Sequence, residues 1–236
     1  MIRVDIVFAV NKLAKFTRQP GKVQFKALIH LLCYLCNNNN YGIHFYSNIE
    51  ESPMYQMLLQ QNISEKHSFF GFADSSWNDD QDNGRRTGFF IITYMGGAID
   101  HSSNMPYPIA LSSAEAEYNE GCIAFMAANH LRMLLCKLEG STDDTKDATS
   151  KYFDSKSAIA MGNNYKDTKH TRHILRHHHC VRQNIEANRF KARWISTEFQ
   201  IADIGTKNND GPRPKILLQL VLIQIQDQMK DLVQEG

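Results

Sequence analysis

Residues 149–161, TSKYFDSKSAIAM, change from strand to helix across one aspartate, Asp154. Thr149–Phe153 is short, with β-branched and aromatic residues, and suits a strand. Ser155–Met161 carries the small and apolar residues of a helix start. Working outward in the C-terminal direction, residues 171–187 read as a further helix and residues 190–195 as the last strand. A last helical turn or two begins at Ala202. In the N-terminal direction, a long helix opens at Ser112 or Ser113, where Ser112 and Glu115 stand in capping-box register. Its apolar stripe runs through Tyr118, Cys122, Met126, Leu131, Leu134, Leu135 and Leu138, and Gly140 ends it. Before that helix come strands at residues 68–73, 87–95 and about 98–101, with a polar turn at residues 79–84. Residues 107–111 complete or extend this antiparallel set. Three strands, a helix, a strand, helices, a strand and a helix make an α/β domain, a mixed sheet with helices packed on it.

Four acids fall at the ends of these elements. Asp74 and Asp154 end strands, Glu117 lies one turn inside the long helix, and Asp203 opens the last helical segment. Residues so far apart in sequence meet only through folding, and strand ends and helix starts along one sheet edge are where such convergence happens. Clustered carboxylates repel, which forces at least one pKa upward unless a cation intervenes. Mg²⁺ takes oxygen ligands and is often shared with substrate phosphates, and two such ions about 4 Å apart support phosphodiester hydrolysis. For any single aspartate at a strand end, a turn or cap role is the commoner one. The wording around the four acids is what sets them apart.

GFADSSW (71–77), GGAID (96–100), ALSSAEAEY (110–118), FDSKSAI (153–159), TKH (168–170) and ADIGTK (202–207) occur in this order. Together they resemble the ribonuclease H domain that closes the polyprotein of copia-type LTR retrotransposons, over about residues 68–207. VDIVFAVNKLAKF (4–16) and the CYL (33–35) and YGIHFYS (41–47) stretches are similar to the end of the same elements' reverse transcriptase. The resemblance implies a ribonuclease H-like mixed five-stranded sheet flanked by helices, preceded by a small helical segment. The domains are then residues 1–48, a remnant of reverse transcriptase helices; 49–66, a linker; 67–208, the ribonuclease H-like domain; and 209–236, a helical tail.

It also implies a metal-dependent endoribonuclease that cuts the RNA strand of RNA–DNA hybrids with two Mg²⁺ or Mn²⁺ ions. Asp74 would touch both ions, Asp154 would hold one, and Asp203 would complete the second site. Glu117 is the glutamate assigned as ligand, with Glu115 as cap residue and alternative. The partner is an RNA–DNA hybrid, with other retroelement proteins as further candidates. The rival reading is a catalytically silent remnant that binds nucleic acid or protein weakly. Polymerase activity is not expected, because the paired-aspartate motif of that family does not occur in the chain. A chain that opens inside the polymerase suggests a truncated element.

Composition narrows the rest. With 26 Lys and Arg against 25 Asp and Glu, the net charge of +1 leaves polyanion binding to local patches. The stretch HSSNMPYP (101–108) lacks the lysines usual in the resembled family, which predicts salt-sensitive binding. The basic candidates for phosphate contact are Arg85, Arg86, Lys169, His170, Arg172 and Arg176, with Lys166 and Arg182 nearby. Each of these suits a solvated face equally well. His173 and His177 are at helical i, i+4 spacing, but no second ligand pair completes a zinc site. Cys33 and Cys36 form a lone C-x-x-C inside a helical pattern, and the five scattered cysteines read as reduced thiols. Residues 5–36 read as two helices broken at Gln19-Pro20-Gly21. No secretory signal or membrane span is visible, so a soluble intracellular protein of cytoplasm or nucleus is expected. The tail from Pro212 is apolar and then amphipathic, with packing against the helices or self-association as its expected roles.

Overall fold

The computed structural model describes residues 3–65, 68–76, 87–104, 112–138, 140, 148–163, 183–207 and 212–225. Its centre is a sheet of five strands: β2 (Phe69–Ser76), β3 (Thr87–Tyr94), β4 (Gly97–Asn104), β5 (Thr149–Phe153) and β6 (Phe190–Trp194). Their order across the sheet is β4-β3-β2-β5-β6. The first three run as an antiparallel meander, and β5 and β6 add in parallel to the other side of β2. Parallel pairing needs crossovers. The first is α4 (Ser113–Leu138), and the path from β5 to β6 includes α5 (Lys156–Asn163) and a helical turn at residues 183–186, α6. This is the mixed, ribonuclease H-like sheet that the sequence implies.

Strand β2 is buried along nearly its whole length, as a central strand covered on both faces must be. On one face Phe69, Ala73, Phe90, Ile92, Phe153 and Phe190 pack against Tyr118, Cys122, Phe125 and Ala128 of α4. On the other, Phe70, Phe72, Phe89, Ile91 and Tyr152 meet residues from both ends of the chain. Val4 and Val7 come from the start of α1 (Val7–Ala14), and Met54, Met57 and Leu58 from α3 (Pro53–Gln60). Leu217 of α8 (Pro212–Gln219) and Val221 just beyond it complete this layer, with Ile204 of α7 (Asp203–Thr206).

The start of the helical segment before the domain therefore joins its core through Val4 and Val7, whereas α2 (Lys22–Asn37) buries none of its residues. Helix α1 and α2 are separated at Pro20-Gly21 as the sequence indicates, with Gly21 as the cap of α2. Residues 49–66, expected as a linker, carry a 3-10 turn (Ile49–Glu51) and α3, in which Met54, Tyr55, Met57 and Leu58 are all buried. Glu65 anchors this stretch to the sheet. Its Oε1 accepts from the Tyr152 hydroxyl and lies 3.5 Å from Arg193 Nε, and its carbonyl accepts from Tyr55 Oη at 2.9 Å. The tail is only partly helical. After α8, β7 (Ile223–Gln224) pairs antiparallel with β1 (Tyr41–Gly42), and Ile225 N–H bonds to Asn40 O. The expected polar turn at residues 79–84, the strand at residues 107–111 and most of the helix over residues 171–187 lie outside the described residues.

A large-to-small substitution in α3 tests whether this stretch bears on stability. Leu58→Ala is expected to lower the unfolding free energy by about 2–5 kcal/mol, the range for a fully buried leucine. Urea denaturation measures it, and a change below about 1 kcal/mol would mean that α3 is loosely attached.

Candidate active site

Four elements bring their acids to one edge of the sheet. Asp74 lies within β2, opposite Phe89 and two residues before the strand ends. Asp154 follows β5 directly, and the hand-over to α5 is fixed by Ser155, whose Oγ accepts from Ala158 N–H at 3.2 Å. Helix α4 starts where Ser112 Oγ accepts from Glu115 N–H at 3.2 Å, the cap expected from the sequence. One further step along the helix is Glu117, which receives a hydrogen bond from Ser155. Asp203 is the first residue of α7. That turn can press close to the sheet because residue 205 is glycine: a Cβ there would overlap the Phe89 ring. Gln200 ties the preceding loop to β2, donating from Nε2 to Ala73 O at 3.0 Å.

Asp74 and Glu117 sense the charges of their acidic neighbours. Asp74 is almost fully buried, and its carboxyl is pushed up to about 7 by burial, then by the charges of Asp203 and Asp154. Lys207 and a hydrogen bond from Thr206 oppose that rise. Glu117 is pushed up to about 8, by burial first and then by Asp154 and Asp74. Glu115, in contrast, is buried beside the cap. Glu117 is thus the helix acid that senses Asp154 and Asp74.

Several polar groups hold these side chains in place. Thr206 Oγ1 donates to Asp74 Oδ2, and Thr197 Oγ1 donates to Asp154 Oδ2 at 3.0 Å. Lys207 Nζ lies 2.6 Å from Asp203 Oδ1 and 3.9 Å from Asp74 Oδ2. Trp194, at the end of β6, donates from Nε1 to the Asp154 carbonyl at 3.1 Å, and Lys156 Nζ stands 5.0 Å from the centre of its ring. Sequence reasoning singled out none of Thr197, Thr206, Lys207, Lys156 or Trp194. Thr206 and Lys207 were within reach, since both belong to ADIGTK, and Lys207 is four residues beyond Asp203 on the same helical turn.

Among the described residues, no three His, Cys, Asp or Glu side chains are close enough together to hold a metal ion as they stand. The basic candidates Arg85, Arg86, Lys169, His170, Arg172 and Arg176, and the histidine cluster, lie outside the described residues. Among the described residues, Cys33, Cys36 and Cys136 are free thiols. No helix among the described residues is long and apolar enough to cross a membrane.

The strand order and the helices on the sheet's faces make a ribonuclease H-like fold, with Asp74, Glu117, Asp154 and Asp203 at one sheet edge. The chain's homologues are retrovirus-related Pol polyproteins from plant transposons. It is 27% identical over 205 residues to the polyprotein of transposon TNT 1-94 from Nicotiana tabacum, a match covering 87% of this chain and 14% of that protein. It is 26% identical over 205 residues to the polyprotein of transposon RE1 from Arabidopsis thaliana, covering 87% of this chain and 13% of the other. The chain therefore spans only about 14% of the length of the relative it matches at that site. No family model matches. Similar solved structures include RNase H1 from the halophilic archaeon Halobacterium salinarum NRC-1, at 13% identity and a TM-score of 0.40, covering 57% of this chain and 89% of that one. Another is LC11-RNase H1 in complex with an RNA/DNA hybrid, at 17% identity and a TM-score of 0.40, covering 56% and 88%.

Proposed function

We propose that this chain is a ribonuclease H-type endonuclease that hydrolyses the RNA strand of RNA–DNA hybrids with Mg²⁺ or Mn²⁺. The observation that carries this reading is the convergence of Asp74, Glu117, Asp154 and Asp203 from four separate elements onto one sheet edge, where the Asp74 and Glu117 carboxyls are raised in part by the charges of their acidic neighbours. The donor set suits a hard divalent cation, being all oxygen. Two of its members are held partly protonated near neutral pH by burial and like charge, a penalty that a bound cation removes. When bound, two such ions supply an acidified water and charge stabilisation for the leaving oxygen.

The chain's own residues do the positioning. Thr206 and Thr197 fix the Asp74 and Asp154 carboxylates, and Ser155 steadies Glu117. Lys156 and the half-exposed Trp194 ring offer a cation and an apolar face beside Asp154, where a nucleic-acid backbone would pass.

One observation favours the second reading, a silent remnant that binds nucleic acid or protein. The carboxylates do not stand close enough to form a ready metal cage, and a lysine is paired with two of them. A labelled hybrid incubated with purified protein and Mg²⁺ or Mn²⁺ separates the two readings, with duplex DNA and single-stranded RNA as controls. Intact RNA at low salt would remove the enzyme reading. The same assay tests the ligand assignment. Glu117→Gln is expected to lose at least about 10²-fold in rate, more than removal of a residue that merely supports a ligand. Glu115→Gln is expected to keep most of the activity. The reverse order would move the ligand to Glu115.

A further inference from the structure

Lys207 brings a cation to the acidic edge itself. It bonds Asp203 at 2.6 Å and reaches Asp74 at 3.9 Å, so it bridges the two acids that arrive from β2 and α7. The charge of Asp154 acts on it as well. Its side chain is 45% exposed, while those of Asp74 and Asp203 are each 5% exposed. The lysine is therefore the member of the group with open space to move into, and the carboxylates are the enclosed ones. An ion pair with a half-exposed, flexible partner is weak enough to be exchanged. The backbone assists: Lys207, itself extended, caps the one-turn helix that Asp203 opens, with its N–H bonded to Asp203 O at 3.1 Å. The side chain can leave the acids without any change in α7.

We propose that Lys207 is a tethered counter-ion that holds Asp74 and Asp203 together while the metal is absent and gives way when a divalent cation enters. It is a positioning residue rather than a catalytic one, and it sets how much metal the site requires. The proposal rests on the assignment of these acids as metal ligands. Two consequences follow from simple electrostatics. The resident ammonium competes with an incoming cation, so its removal tightens metal binding. The same removal leaves the acids unneutralised, so the metal-free protein loses stability.

The test is metal binding by EDTA-stripped protein, titrated with Mn²⁺ and followed by calorimetry and by the shift in melting temperature. Lys207→Met is expected to lower the Mn²⁺ midpoint by about two- to fivefold, the worth of one partly exposed ion pair. It is also expected to melt below wild type without metal and to gain more from Mn²⁺. Lys207→Arg, which keeps the charge, is expected to stay close to the wild-type midpoint and provides a folded control if the methionine variant is too unstable. Circular dichroism confirms that each variant is folded. An unchanged or raised midpoint in Lys207→Met, or a lowered midpoint in Lys207→Arg as well, overturns the proposal. If Lys207→Met binds Mn²⁺ more tightly while no variant cuts a hybrid, the lysine keeps its role and the nuclease reading falls. If neither wild type nor Lys207→Met takes up Mn²⁺, both fall.

Discussion

Asp74→Asn is expected to remove hybrid cleavage while making the metal-free protein more stable. Asp74 is the acid nearest the middle of the group, sensing Asp203, Asp154 and Lys207. Losing a supporting neighbour of a metal ligand costs about 10–100-fold, so loss of the ligand itself should exceed about 10² in rate. Stability moves the other way, and the sign follows from the raised carboxyl. The folded protein holds this proton up to about pH 7, whereas the unfolded chain releases it near the ordinary aspartate value. Between those values the unfolded state binds fewer protons, so stability falls as pH rises through the window. Asparagine has no charge to bury and can still accept from Thr206. In EDTA at pH 8 the variant should melt higher, by about 2–4 °C per kcal/mol recovered in a chain of this size. A variant that is inactive and melts lower would be merely misfolded, and the test would then say nothing for catalysis. One that cuts as well as wild type ends the catalytic reading of this edge.

Lys151→Met carries the second large expectation, a gain in stability from the centre of the sheet. Lys151 lies on β5 between Gly71 and Ala192 and is fully buried, and its Nζ has no hydrogen-bond partner among the described residues. Gly71 makes this possible, since a Cβ there would collide with the amine. Burial pulls the amine down to about 7, with Asp100 resisting weakly. The unfolded chain keeps its proton up to about 10.5. Stability should therefore be greatest above that value and decline as pH falls toward 7, where the buried amine must charge. Methionine has similar length and no charge. The gain at pH 7 is on the order of 3–5 kcal/mol, taking about 1.4 kcal/mol per pH unit. Urea unfolding at pH 7 and pH 10 measures both parts, because the variant should also lose most of the difference between the two. A destabilised variant would mean that the amine has a polar partner or a task in the fold.

How much of this could be read from the residues depended on what lay around them. The strand-to-helix change at Asp154 was legible because Thr149–Phe153 and the α5 start each keep one period and the acid stands at the junction. The four acids could be named because each sits in distinctive local wording. Helix α3 went unread although its buried Met54, Tyr55, Met57 and Leu58 share one face, because eight residues make only about two turns, too short for the period to stand out. Lys151 had a signal that went unused, since it is two residues before Phe153 and so shares that side chain's inward face. The β1–β7 pairing was invisible, because two strands of two residues each have no period at all.

That small pairing also governs the order in which the protein can be completed. Tyr41 meets Gln224 and Gly42 meets Ile223, so the first and last parts of the described chain close on each other. A ribosome delivers about 5–20 residues each second. By that rate, roughly 10–40 seconds separate the emergence of Tyr41 from that of its partner. Tyr152 emerges about 60 residues before α8, so for roughly 3–12 seconds Phe70, Phe72 and Tyr152 wait with one greasy side of the sheet unsealed. The nascent chain is thus most exposed to wrong partners while its acidic edge is still being assembled, before α8 and the last strand arrive.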